Sequence, residues 1–107
     1  MPRYRWCHRL GAGPGRPMKP RFIGWRPTMS HFVPASPRGQ STTRLPIVMS
    51  YDELEALRLI DYHGLTQEEA SERMGVSRGT VWRCLDSGRR KIVAMLVENR
   101  ELIVSEG

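Results

Sequence analysis

Arg78, Thr80, Trp82 and Arg83 fall within six residues at the start of a segment with helical periodicity, and together they suit one chemistry. Arginine presents a planar fork of donors that matches guanine O6 and N7, and threonine offers a hydroxyl and a methyl to base edges. That is groove-reading chemistry for a nucleic acid. Phosphate contacts are expected from Thr66, from the Ser77 hydroxyl with the amides beside it, and from Arg89, Arg90 and Lys91. Near the amino end, Arg3, Arg5 and Arg9 alternate with Tyr4 and Trp6, a pattern suited to an arm in a minor groove.

Other chemistries find little to work with. Glu68, Glu69 and Glu72 fall together on a helix surface and read as capping and solubility. No G-x-S-x-G, phosphate loop or Cys-His-acid set is present. An enzyme is therefore not expected, and no cofactor is implied. For a metal, Cys7, His8 and His31 are the ligands to test, with His63 a further option, but C-x-x-C and H-x-x-x-H spacings are absent. A metal bound there would serve sensing rather than catalysis.

These residues need a scaffold, and 107 residues suit one small domain with a limited core. Net charge is +6, unevenly spread. Residues 1–49 hold nine Lys and Arg, all eight prolines and no acid; residues 50–107 hold eight bases and all eleven acids. The halves thus carry +9 and −3, a basic Pro/Gly-rich arm ahead of a nearly balanced domain, and such asymmetry points to a polyanionic partner. No apolar run approaches the roughly 18 residues of a membrane span, and the first residues lack a secretory apolar stretch, so a cytoplasmic protein is expected. Two cysteines give no disulfide framework; Cys84 is expected to pack as a small hydrophobe.

Residues 1–44 show no lasting period and read as a largely irregular arm, leaving 45–107 as the folded domain. Ser50 caps a helix over about 51–63, with Asp52 and Glu53 at its positive end, and Gly64 ends it. Thr66 and Glu69 form a T-x-x-E capping box. Gly75 suits a turn with positive φ, Val76 fills it, and Ser77 caps the next helix. That helix carries an apolar stripe of Val81, Leu85, Gly88, Ile92 and Leu96, which leaves Gly79, Thr80, Arg83, Ser87 and Arg90 outward. "LPIVMS" at 45–50 looks extended, and "ELIV" at 101–104 is a terminal strand that pairs either with it or with a second subunit. A short helix, a glycine turn and a longer helix with a polar, basic leading face make a helix-turn-helix; an ordinary helical hairpin in a small bundle is the competing explanation. The expected fold is all-α, a small three-helix domain of the winged-helix-like DNA-binding class.

The run "LTQEEASERMGVSRGTVWRCLDSGRRKI" resembles region 4 of bacterial sigma factors. More closely, the chain resembles the family called domain of unknown function 134, small prokaryotic proteins expected to bind DNA. The likeness rests on "MPR" with nearby Cys7, on "HFVP", "DELEALRLID" and "GLTQEEASERMGVSRGTV", and on the "RRKI…LVEN…L" end. It is dense from 50 to 104 and patchy before. It implies that Arg78, Gly79, Trp82 and Arg83 fall on base-contacting positions. Gly79 has no side chain there, and Trp82 replaces a polar reader, so the promoter element of sigma factors does not carry over. Trp82 either meets a thymine methyl or covers the domain surface. The expected function is a sequence-specific regulator of transcription that binds double-stranded DNA, plausibly as a homodimer. The alternatives are a module that binds RNA polymerase or another regulator, and an RNA-binding protein.

Overall fold

The computed structural model describes residues 3–6, 20–28, 30–35 and 44–106, and over these residues the all-α expectation is corrected. Five short strands in two sheets accompany the helices, so the fold is mixed α/β. Strand β1 (Tyr4–Trp6) pairs antiparallel with β2 (Arg21–Ile23), in register Tyr4 to Ile23. Strands β3 (His31–Phe32), β4 (Ile47–Ser50) and β5 (Leu102–Ser105) form a second sheet in the order β3-β5-β4. The described part of the first 44 residues thus supplies three strands where an irregular arm was expected.

The pairing of β4 with β5 is parallel, Ile47 opposite Leu102 and Met49 opposite Val104. Of the two partners open to the terminal strand, the one within the chain is therefore the one found. A parallel pair needs a long crossover, and here the three helices are that crossover. Alternation follows the pleat: Ile47, Met49, Leu102 and Val104 are buried against Leu54, Ile92 and Met95.

Helix α1 (Tyr51–Ala56) continues into a π-helical segment, Leu57–Tyr62, whose His63 N–H bonds the Arg58 carbonyl five residues back. Gly64 then turns the chain at a φ of 76°. Helix α2 (Gln67–Met74) opens on the expected capping box: the Glu69 N–H donates to Thr66 Oγ1 at 3.1 Å and the Thr66 N–H to Glu69 Oε1 at 2.9 Å. Helix α3 (Arg78–Glu98) follows after a turn. A second core of Ala56, Leu59, Ala70, Met74, Val81, Cys84 and Leu85 joins the three helices. Gly88 permits the crossing: a Cβ there would stand 2.9 Å from Leu57 Cδ1 and 3.2 Å from the Glu53 carbonyl.

Three carboxylates at the start of α1 are buried, and each holds a different segment. Asp52 Oδ2 accepts from Arg21 Nε of β2 at 3.1 Å, with both side chains nearly inaccessible. Glu53 accepts from Lys91 Nζ of α3 at 2.7 Å, from the Ser50 amide at 2.9 Å and from the Ser87 hydroxyl. Glu55 accepts the Gly24 amide at 2.8 Å and a two-pronged contact from Arg58 at 2.7 and 2.8 Å. Burial alone would raise the Glu53 carboxyl; hydrogen bonds from Lys91, Ser87 and Ser50 outweigh it and hold the group below its ordinary value. Removing one partner of a buried pair leaves an uncompensated charge and costs about 3–5 kcal/mol.

Because the folded carboxyl of Glu53 titrates below its unfolded value, its stabilisation is full above about pH 4.3 and is lost as pH falls through the lowered folded value. Urea midpoints measured from neutral pH down to pH ~3 therefore fall more steeply for the wild type than for Glu53→Gln; parallel acid limbs would remove Glu53 from this role. Alanine at Gly64, which meets nothing within 4 Å, costs only the left-handed backbone penalty of about 1–2 kcal/mol. Alanine at Gly75, at a φ of 67°, would also press its Cβ to 2.8 Å from Phe22 Cδ2. Gly75→Ala is thus the more destabilising change, and a Phe22→Ala background shrinks the gap; equal losses in both backgrounds would disprove the contact.

Candidate nucleic-acid interface

The angle between α2 and α3 is set by Gly75, which closes α2 in the left-handed conformation. Its N–H bonds the Glu72 carbonyl at 3.3 Å, and the Val76 N–H bonds the Ser71 carbonyl at 3.1 Å. Val76 packs on the helical core. Ser77 Oγ accepts the Thr80 amide at 3.1 Å, so α3 begins where the cap signal placed it. Val81, Cys84, Leu85 and Gly88 face inward. Burial pushes the Cys84 thiol up to about 12, so it stays protonated at neutral pH and packs as an apolar group.

Facing outward, the leading end of α3 exposes Ser77, Arg78, Gly79, Trp82 and Arg83, with Thr80 half-buried among them. A line of hydrogen bonds runs along this face: Arg83 Nη2 donates to Thr80 Oγ1 at 3.1 Å, and Thr80 Oγ1 lies 3.0 Å from Ser77 Oγ. The Arg78 side chain makes no hydrogen bond or ion pair among the described residues. The structure therefore brings all five expected base-reading residues to one accessible end.

The expected phosphate contacts do not stay together. Thr66 is exposed at the start of α2, its hydroxyl oxygen engaged in the capping box. Arg90 is exposed and only loosely paired, 3.4 Å from Asp86 one turn back. Arg89 grips Asp61 with two hydrogen bonds, at 3.0 and 2.7 Å, and so holds that carboxyl below its ordinary value. Lys91 turns inward to Glu53. The RRK run is three separate contacts, one outward and two to other elements.

At the amino end, Arg3 lies beneath the turn. Its Nη1 donates to the Arg73 carbonyl at 2.9 Å, where α2 ends, and its guanidinium sits 4.3 Å over the Phe22 ring. A cation there satisfies the carbonyl end of a helix. Arg5 is exposed on β1. Arg9, Cys7 and His8 lie outside the described residues. His31 sits on β3, 3.5 Å from Glu101, and no group of three or more His, Cys, Asp or Glu that could hold a metal occurs among the described residues.

Sequence reasoning missed the anchoring of α1. Asp52 and Glu53 read as complements to a helix dipole, whereas the structure buries them. A usable signal was the spacing of Ser87 and Lys91, one turn apart with Gly88 between, which puts a hydroxyl and an amine where α1 approaches most closely. The apolar stripe of α3 runs on past the core: its last member, Leu96, is exposed.

Among the described residues no helix is long and apolar enough to cross a membrane. No solved structure matches the chain significantly. Sequence relatives do. A UPF0251 protein of Pyrococcus furiosus is 59% identical over 86% of this chain and 84% of its own length. One from Thermococcus kodakarensis is 60% identical over 81% of this chain and 76% of the relative. One from Archaeoglobus fulgidus is 32% identical over 97% and 93%, respectively. The family model described as "protein of unknown function DUF134" matches residues 7–107, and the chain belongs to that family.

Proposed function

We propose that this chain binds double-stranded DNA in a sequence-dependent way and acts as a transcriptional regulator, with the leading end of α3 in the major groove. The observation that carries the reading is the exposed set Arg78, Gly79, Trp82 and Arg83 on a helix whose opposite face is locked into the core across the left-handed Gly75 turn. A protein of net charge +6 also favours a polyanion.

Each residue then has a physical task. Arg83, oriented by Thr80, offers its fork to guanine O6 and N7, and Arg78 reaches base or phosphate from the flank. At Gly79 an added Cβ would find nothing closer than 3.8 Å, so the first turn is open to a close surface. Trp82 presents an indole toward a thymine methyl. Ser77 and the free amides at the start of α3 meet a phosphate, and Arg90, further along, meets another. Arg89, Lys91 and Arg3 are assigned to holding the scaffold, since each is engaged with Asp61, Glu53 and the α2 carbonyls, respectively.

Selection from random duplexes supplies the cognate site. On it, Arg83→Ala is expected to weaken binding by ~1–3 kcal/mol and to relax one base preference, whereas Arg90→Ala weakens cognate and random duplex alike and lowers the salt slope by about one. Selection that yields no motif would sink the reading, and so would binding that is insensitive to salt. Equal losses on both duplexes for Arg83→Ala would remove its base-reading role.

A further inference from the structure

The stripe on α3 outruns the domain that buries it. Val81 and Leu85 are in the core and Ile92 is half-buried, but Val93 is 55% exposed, Leu96 72% and Val97 77%. These three lie at i, i+3 and i+4 on one helix face. Beside them a groove of about 900 Å³ runs between α3 and the π-helical segment, lined by Leu54, Leu57, Tyr62, Ile92, Val93 and Trp25. Tyr62, on its edge, is 80% exposed.

We propose that this groove and ridge form a homodimer face, with a second copy of the chain as the occupant. The face is self-complementary. Val93 is a groove wall, and Leu96 and Val97 project one turn further along the same helix. A two-fold axis near Leu96 sets the α3 ends antiparallel and lays each copy's ridge in the other's groove, as an isologous contact requires. At about 150–250 Å² for an aromatic side chain and less for an aliphatic one, the exposed fractions amount to roughly 400 Å² per copy, within the ~300–600 Å² of a typical monomer's largest apolar patch, which is often functional. Two such patches supply about 800 Å², and the polar rim of Arg58, Asp61, His63 and Arg89 brings the contact toward the lower end of the ~1,200–2,000 Å² of stable interfaces.

Sedimentation equilibrium of the full chain without DNA tests the dimer itself, so its failure is separate from any failure of DNA binding. The wild type is expected at twice 12.3 kDa. Leu96→Glu combined with Val97→Glu is expected at the single mass, with an unchanged far-UV spectrum and melting temperature, because both side chains are free of the core. Val48→Glu, an exposed apolar position that lines a different hollow beside Asp86 and Arg90, should leave the dimer intact. A monomeric wild type at every concentration overturns the proposal, as does a dimer that survives the double substitution. Tyr62→Ser, on the opposite wall of the groove, provides a second variant and is expected to weaken the dimer without altering the fold.

Discussion

The structure depends on three negative charges taken out of water at the start of one helix. Asp52, Glu53 and Glu55 are affordable there because each finds a cation or amide donor, and because the positive end of α1 offsets part of the desolvation. Their partners come from β2, from α3 and from the chain after β2. α1 is thus the hub to which the amino-terminal strands and α3 are both fastened. Apolar packing would hold these elements together without specifying their angles; directed hydrogen bonds from a short carboxylate leave far less choice of geometry. Gly88 completes the arrangement, since α3 reaches Glu53 through Ser87 and Lys91 only because nothing on its surface holds the backbones apart.

How much of this could be read in advance varied with the range of the interaction. Local signals held. The Thr66–Glu69 box, the left-handed Gly64 and Gly75, the Ser77 cap and the inward Val81 and Leu85 all depend on residues within a turn or two, and their chemistry is written in the residues themselves. Long-range features were less legible. β1, β2 and β3 are two or three residues long, too short for an alternating pattern, and they are held by partners that include elements far along the chain: β2 lies against α1 and α2, and β3 pairs with β5. Arg3 and the RRK run looked like free positive charge; what matters is that Arg73, Asp61 and Glu53 stand nearby in space, a fact no spacing rule contains. The five residues at the leading end of α3 gather on one surface because they lie on one helix, the case in which spacing alone suffices.

Helix α3 combines two characters. Its first turns are anchored beneath and polar above. Its last turns carry apolar side chains that the domain's own sheet does not cover. A single helix of 21 residues joins these ends, so the separation between them is fixed by helix geometry and not by a linker. Such an arrangement converts the position of a partner at one end into a position at the other without any change of shape.

The parallel pair of β4 and β5 has its own consequence. Residues 47–50 have their neighbours at 102–105, with every helix of the domain made in between. During synthesis, the first of these strands leaves the ribosome long before its mate has been translated, and Met49 meanwhile lacks the side chains that will enclose it. The helices can form early from local signals, but the sheet closes last, as a clasp. Assembly is therefore a late and all-or-none event, slow relative to that of a simple helical bundle because so distant a contact must be found before it stabilises anything.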